Sequence, residues 1–292
     1  MQFILGTVQF GSAYGVSNVT GKIPETEVKK ILDFSWNNGI SCLDTAPAYN
    51  DSERLIGINI EKKDWKIQTK TPFFEAKIIS NIEVNFLTKM FRSSLLNLNR
   101  NKIESLMIHN CDDLFKPGGY KIINTLESLK QEGYISKVGV SVYSKSQIDK
   151  ILDSFPVDII QLPVSILDQR LIRDGSLEKI KRYGVETHAR SIFLQGLLLM
   201  SNESIPNYFL PITSILNKFK EKSAELSISK LELALSFISN IESIDFALIG
   251  VNSLTELKQI LGSKIIKLDL DNYSELSVNN DKFMNPSNWD IN

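Results

Sequence analysis

The chain has 292 residues, with 33 basic and 34 acidic side chains and a net charge of −1. This balance gives no overall field that would hold nucleic acid or an anionic membrane, so we expect a small-molecule partner and neither of those. No apolar run approaches the roughly 20 residues of a membrane span, and Cys42 and Cys111 are too few for a disulfide framework or a paired-cysteine metal site. Together these features predict a cytoplasmic protein.

Short apolar runs alternate along the chain with longer amphipathic segments. This alternation predicts a parallel sheet whose crossover connections are helices. The runs lie at residues 3–6, 41–44, 66–70, 106–109, 138–141, 159–161, 186–189 and 246–249. Eight such strands close a (β/α)8 TIM barrel, so we predict a single α/β domain over residues 1–292.

Helical periodicity fills most of the intervals between these runs, at residues 24–38, 83–98, 121–131, 146–154, 176–183 and 254–261. In the first helix, Pro24 stands at the start, Glu25 and Glu27 favour the positive end of the helix dipole, and Gly39 follows as a stop.

Two segments exceed what a simple barrel needs. Residues 201–240 contain two helical patterns broken by Pro206 and Pro211, which predicts a helical or loop insertion after the seventh strand. From residue 264 onward the chain is rich in Asn, Asp and Ser, which is typical of a surface cover segment.

The active site of such a barrel lies at the carboxyl ends of its strands. Asp44, Lys70 and His109 end the second, third and fourth runs, and Tyr49 lies in the loop after the second. Ionisable groups in apolar strands are costly unless they are paired, so we expect Asp44 to pair with Lys70.

These four residues could act together on a carbonyl group. We expect the ammonium group of Lys70 to lower the pKa of Tyr49 from its usual value near 10. Asp44 would hold that ammonium group, and a neutral His109 would donate a hydrogen bond to the carbonyl oxygen. Each residue alone also has an ordinary structural explanation, so the prediction depends on their joint spacing.

The segment 44–57, D-T-A-P-A-Y-N-D-S-E-R-L-I-G, resembles the D-T-A-x-x-Y-x-x-S-E-x-x-x-G signature of aldo-keto reductases. The T-K-T sequence around Lys70 and the I-H sequence ending at His109 follow in the matching order, and the resemblance extends over nearly the whole chain. It implies hydride transfer from NAD(P)H to an aldehyde or ketone. Tyr49 would be the general acid, tuned by Lys70 and Asp44, and His109 would orient the carbonyl.

The resemblance also implies contacts with the cofactor. Ser141 and Gln161 match residues that hold the nicotinamide carboxamide, although Val142 stands where the family usually has asparagine. Arg190 takes the place of a tyrosine that stacks on the nicotinamide ring. The other implied contacts are Gly6, Thr7 and Asp44 near the first two strands, Ser191, Gln195, Gly196 and Leu197 over the pyrophosphate, and Gly250, Asn252, Ser253 and Gln259 at the adenosine phosphate.

The resemblance favours NADP(H) as the cofactor. Residues 251–255, however, include no Arg or Lys, and this is where many relatives hold the 2′-phosphate. NAD(H) therefore stays open as the alternative.

Our leading hypothesis is a reductase of a small or sugar-derived carbonyl compound. One alternative is a regulatory protein that binds the nucleotide with little turnover, as Val142 and Arg190 suggest. Another is an epimerase or dehydratase that uses the bound nicotinamide for internal redox. We expect the loop 11–15 to form a wall of the pocket. Because Arg190 is positively charged, an anionic substrate stays an alternative to a neutral one. The sequence gives no signal for the oligomeric state.

Overall fold

The computed structural model describes residues 1–60 and 63–291. Glu61, Lys62 and Asn292, which the predicted domain also included, lie outside the described residues. Parallel strands close a barrel in chain order, with the eighth strand paired to the first. The strands are β1 (Gln2–Gly6), β2 (Cys42–Asp44), β3 (Lys66–Lys70), β4 (Ile103–Ile108), β5 (Ile135–Ser141), β6 (Ile159–Pro163), β7 (Glu186–Arg190) and β8 (Phe246–Gly250). The predicted (β/α)8 barrel is confirmed.

Each predicted strand overlaps an observed one. β5 begins at Ile135, three residues earlier than predicted, and β4 differs at both of its ends. This strand begins at Ile103, three residues earlier than predicted, and ends at Ile108. Glu104 and Ser105 interrupt the apolar pattern and concealed its first half. His109 is therefore the first residue after the strand instead of its last.

Helices form the layer outside the barrel. They are α1 (Val8–Gly11), α2 (Glu25–Asn37), α3 (Ser52–Asn59), α4 (Asn81–Asn97), α5 (Tyr120–Gln131), α6 (Lys145–Ser154), α7 (Arg170–Arg173), α8 (Ser176–Arg182), α9 (Thr213–Glu225), α10 (Lys230–Ser239), α11 (Leu254–Gly262) and α12 (Asp281–Met284). The six predicted helices correspond to α2, α4, α5, α6, α8 and α11. Capping boxes open α4 and α10, where Ser80 pairs with Glu83 and Ser229 with Glu232.

The insertion after β7 and the carboxyl-terminal cover segment are both present. The insertion consists of short 3-10 turns followed by α9 and α10, and Pro211 lies in the turn Asn207–Ile212. The cover segment lies against this insertion and the loop after β6. The backbone N–H of Val278 donates to the carbonyl of Leu167 at 2.8 Å, and the ring of Trp289 packs on Phe209 with centroids 4.9 Å apart.

Two kinds of feature are missing from residues 1–60 and 63–291. No helix there combines the length and the apolar character needed to cross a membrane. The same residues contain no group of three or more His, Cys, Asp or Glu side chains that could hold a metal ion.

Candidate active site

The four residues that the sequence singled out meet at the carboxyl end of the barrel. Asp44 is the last residue of β2 and Lys70 the last of β3, and their side chains are in contact. The hydroxyl oxygen of Tyr49 lies 3.4 Å from the ammonium nitrogen of Lys70. The ring of His109 meets the ring of Tyr49 edge to face, with centroids 6.1 Å apart.

Asp44 and Lys70 form a buried ion pair. The Lys70 Nζ lies 2.6 Å from Asp44 Oδ1, and the side chains are only 2% and 5% exposed, respectively. The other carboxylate oxygen, Oδ2, accepts hydrogen bonds from the amides of Gln68 at 2.8 Å and Gln161 at 2.9 Å. Lys70 donates a further bond to the carbonyl of Thr45 at 3.0 Å. Both charges are therefore well satisfied, which a buried pair requires.

Tyr49 does not have the lowered pKa that we expected from its neighbouring ammonium group. Burial raises the pKa of Tyr49 and outweighs the opposing charge of Lys70. Burial also opposes the charge on Lys70, but Asp44 and Tyr49 more than compensate, so the pKa of Lys70 is raised. At neutral pH the pair at this position is thus a neutral phenol beside a charged ammonium group.

His109 is neutral, as expected. Burial and then the positive charges of Lys70 and Arg190 lower its pKa to about 3. Its ring stacks on Phe73 with centroids 4.3 Å apart, and its backbone N–H donates to the hydroxyl of Thr71 at 3.1 Å. The buried Nδ1 atom has no hydrogen-bond partner within the described part of the chain.

A network of hydroxyl groups fixes the backbone beneath the ion pair. Thr7 donates to the carbonyl of Asp44 at 2.8 Å, Ser52 donates to the carbonyl of Thr7 at 2.9 Å, and the hydroxyl groups of Thr45 and Ser52 are 3.1 Å apart. The side chain of Thr7 is completely buried. The hydroxyl of Thr7, which the resemblance implied as a cofactor contact, is thus used to hold Asp44.

Close packing also fixes the loop that carries Tyr49. A Cβ atom on Gly11 of α1 would lie 1.7 Å from the carbonyl oxygen of Tyr49, so only glycine fits there without a backbone shift. Asn50, which has a left-handed φ of 48°, donates from its side chain to Ser12 at 2.8 Å. The segment that contains α1 thus supports the loop of the tyrosine.

Ser141, the last residue of β5, and Gln161, in the middle of β6, are register partners and lie side by side. Among the described residues, the hydroxyl of Ser141 makes no hydrogen bond. Gln161 donates its amide N–H to Asp44, which leaves its carbonyl oxygen as an acceptor. A hydroxyl donor beside an amide acceptor matches the two halves of a carboxamide, so these residues fit the nicotinamide group that the resemblance implied.

Arg190 has a neighbour that the sequence analysis did not identify. Its guanidinium group lies 4.2 Å from the ring centroid of Tyr143 and makes long hydrogen bonds to the carbonyl of Val142 at 3.3 Å and the hydroxyl of Ser191 at 3.4 Å. Tyr143 lies two positions after Ser141, the last residue of β5. This position just after a strand is the sequence feature that could have indicated Tyr143 as part of the site. The two side chains together form a stacked, positively charged surface beside His109.

The loop after β7 packs tightly on the loop after β1. Ser191 and Gln195 have left-handed φ values of 59° and 55°, which non-glycine residues rarely adopt without support from their surroundings. A Cβ atom on Gly196 would lie 1.8 Å from the hydroxyl oxygen of Ser17, and the backbone N–H of Ser17 lies 3.5 Å from the carbonyl of Gln195. Leu197, which the resemblance also implied as a cofactor contact, has a side chain buried in the core.

The residues implied to hold the adenosine phosphate lie at the start of α11. Ser253 caps this helix and accepts a hydrogen bond from the backbone N–H of Glu256 at 3.2 Å. Gly250 is the register partner of Gly6, and a Cβ atom on it would lie 2.7 Å from the side-chain amide of Gln9. Asn252 lies between Gly250 and Ser253, whereas Gln259 is exposed further along the helix.

Comparison with known proteins decides the family. The model of the Aldo/keto reductase family matches residues 2–279. This chain belongs to the aldo/keto reductase family. Solved members share its fold, including an aldo-keto reductase from Bacillus halodurans in its holo form, with a TM-score of 0.74 and 22% identity over 94% of this chain and 90% of that one. A glycerol dehydrogenase from Gluconobacter oxydans has a TM-score of 0.71 and 20% identity over 94% and 89%.

Two characterised proteins are related in sequence to this aldo/keto reductase. An NADH-specific methylglyoxal reductase of Escherichia coli strain K12 is 27% identical in a 179-residue alignment that covers 55% of this chain and 54% of that protein. The matched region thus spans about half of the Escherichia coli protein. A D-arabinose 1-dehydrogenase of Saccharomyces cerevisiae is 22% identical in a 283-residue alignment that covers 87% of this chain and 79% of the yeast protein.

Replacing Lys70 with methionine tests the buried ion pair. The substitution leaves the Asp44 carboxylate buried without its cation, so we expect the free energy of unfolding to fall by about 3–5 kcal/mol, measured by urea denaturation. Lys130→Met is the matched control, because it removes an ammonium group from the partly exposed pair with Asp158, whose side chains are 33% and 35% exposed. That change should cost about 0–1 kcal/mol, and equal losses in the two variants would contradict the account.

The low pKa of His109 makes this reductase sensitive to acid. An unfolded histidine binds a proton near pH 6.5, whereas folded His109 does so only at about 3. Between these values the unfolded state binds the extra proton, so stability decreases as pH falls, by up to about 1.4 kcal/mol per pH unit. Urea denaturation from pH 7.5 to 4.5 gives the free energy of unfolding at each pH. In His109→Asn its slope against pH should be smaller by the contribution of one bound proton. An NMR titration of His109 with a midpoint near 6.5 would refute the prediction.

Proposed function

We propose that this protein is a carbonyl reductase that transfers a hydride from a reduced nicotinamide cofactor to an aldehyde or ketone. The observation that carries the proposal is the neutral hydroxyl of Tyr49, 3.4 Å from an ammonium group that Asp44 holds in place. This arrangement lies at the carboxyl end of the barrel, where enzymes of this architecture have their active sites. Membership of the aldo/keto reductase family supports the same reaction.

Ser141 and Gln161 are the residues that would hold the cofactor next to Tyr49. The serine hydroxyl can donate to the carboxamide oxygen, and the free carbonyl oxygen of Gln161 can accept from the carboxamide nitrogen. Because Gln161 also bonds Asp44, the cofactor contact and the ion pair would be linked through one side chain. A reduced nicotinamide bound there would supply the hydride.

Tyr49 would supply the proton. Its raised pKa keeps the phenol protonated at neutral pH, so it can donate to the carbonyl oxygen as the carbonyl carbon accepts the hydride. The negative charge left on the phenolate would be stabilised by Lys70, whose own charge is secured by Asp44. His109, being neutral, can donate a second hydrogen bond that orients the same oxygen.

The substrate that we propose is a small oxygenated carbonyl compound, in keeping with the methylglyoxal and D-arabinose in the names of the two relatives. Arg190 adds a further preference. Its guanidinium group stacks on Tyr143 and lies close enough to His109 to lower the pKa of that residue. Within the described residues no carboxylate forms an ion pair with it, so a carboxylate or phosphate on the substrate could fill that role.

We also propose a cytoplasmic location. Cys42 and Cys111 are both buried and unpaired, which suits a reducing compartment. The nearly neutral overall charge gives no reason to expect a nucleic acid partner.

Tyr49→Phe tests the proton donor. Removing the hydroxyl should lower turnover by about 10²–10⁴-fold, because the carbonyl oxygen then has no positioned acid. The affinity for the cofactor should change little. Turnover is followed by the absorbance of reduced nicotinamide over a panel of neutral and carboxylated aldehydes and ketones. Tyr134→Phe, at an exposed position after α5, is the control and should retain full activity.

The same assay separates the alternatives. Wild-type turnover in Tyr49→Phe would refute the mechanism. Cofactor binding without turnover on any carbonyl would favour the regulatory protein, and product formed without net cofactor oxidation would favour the epimerase or dehydratase.

A further inference from the structure

Two carboxylates from this chain occupy the amino end of α11, where the family resemblance placed the adenosine phosphate. Glu27, on α2, accepts a hydrogen bond from the backbone N–H of Leu254 at 2.9 Å. Glu256 accepts one from the backbone N–H of Asn252 at 2.7 Å. With Ser253 capping the N–H of Glu256, two donors of the first turn and the N–H of Asn252 just before the cap already have protein acceptors.

The charge on Glu27 is secure. Its bond from Leu254, followed by the nearby Lys30, lowers its pKa, so the carboxylate is ionised at neutral pH. The side chain is 26% exposed, which leaves one edge open to a ligand at the surface. The helix dipole that would attract a phosphate is thus already partly neutralised by a carboxylate.

We propose that Glu27 makes this enzyme select NAD(H) over NADP(H), an inference that rests on the proposed function. A 2′-phosphate at this helix end would face the carboxylate of Glu27 and find the N–H of Leu254 taken. A ribose 2′-hydroxyl carries no charge and can donate a hydrogen bond to the same carboxylate. This assignment is the opposite of the NADP(H) preference that the resemblance favours.

The direct competitor to this assignment is a phosphate site built from two lysines. Lys30 lies 3.4 Å from Glu27, and the Nζ of Lys258 lies 5.5 Å from the ring centroid of Phe34 on α2. A bound 2′-phosphate could draw both ammonium groups away from these contacts. In the structure, however, Lys30 is paired with Glu27, so a phosphate would have to displace an existing ion pair.

Isothermal titration calorimetry with NADH and NADPH tests the assignment without any turnover. The wild-type protein should bind NADH at least about tenfold more tightly than NADPH. Glu27→Gln keeps an oxygen that can accept from Leu254 but removes the charge. We expect this variant to bind NADPH about five- to tenfold more tightly than the wild type does, and its NADH affinity to stay within about threefold. Glu25→Gln, on the exposed first turn of α2, is the matched control and should change neither.

Three results would overturn the assignment. If the wild type prefers NADPH and loses that preference in Lys258→Ala, the lysines form a phosphate site. If Glu27→Gln shifts both affinities equally or neither, Glu27 is only a helix cap. If neither nucleotide binds, the proposed function fails and the assignment fails with it. Thermal melting of each variant distinguishes a lost fold from a lost contact.

Discussion

The buried ion pair between Asp44 and Lys70 is the interaction on which the rest of the site depends. Removing two charges from water costs more than their attraction returns unless every remaining hydrogen-bonding group is satisfied. Here Asp44 accepts bonds from Lys70, Gln68 and Gln161, side chains of β3 and β6. The pair thus links separate strands at the carboxyl end of the barrel. It also holds a cation beside the hydroxyl of Tyr49.

Charge is used differently at the two ends of the barrel. At the amino ends of the strands, the ammonium group of Lys137 forms ion pairs with the carboxylates of Glu104 and Glu186. This cluster is partly exposed. A cluster at this end serves stability, because the chemistry of this architecture takes place at the other end. At the carboxyl end, Arg190 forms no ion pair among the described residues and Tyr49 is kept protonated by burial. These are the groups left available to a substrate.

Sequence patterns predicted the barrel and the members of the site because both depend on local information. The alternation of apolar runs sets the strands, and a residue at the end of a strand must lie at the barrel mouth. What the patterns missed depends on contacts between distant segments. The pKa of Tyr49 depends on how the mouth buries it, the stacking of Arg190 on Tyr143 joins two loops, and Glu27 meets Leu254 across 227 residues of chain. The position of Thr7 in the sequence likewise does not show that its hydroxyl is used beneath Asp44.

The central claim is that this site delivers a hydride to a carbonyl carbon while Tyr49 protonates the oxygen. The most direct measurement is a single turnover with the reduced nicotinamide carrying deuterium at the transferable position, followed by mass spectrometry and NMR of the alcohol. The account predicts one deuterium on the former carbonyl carbon and none elsewhere. A product without deuterium at that carbon would contradict it, because the hydride would then not have come from the cofactor.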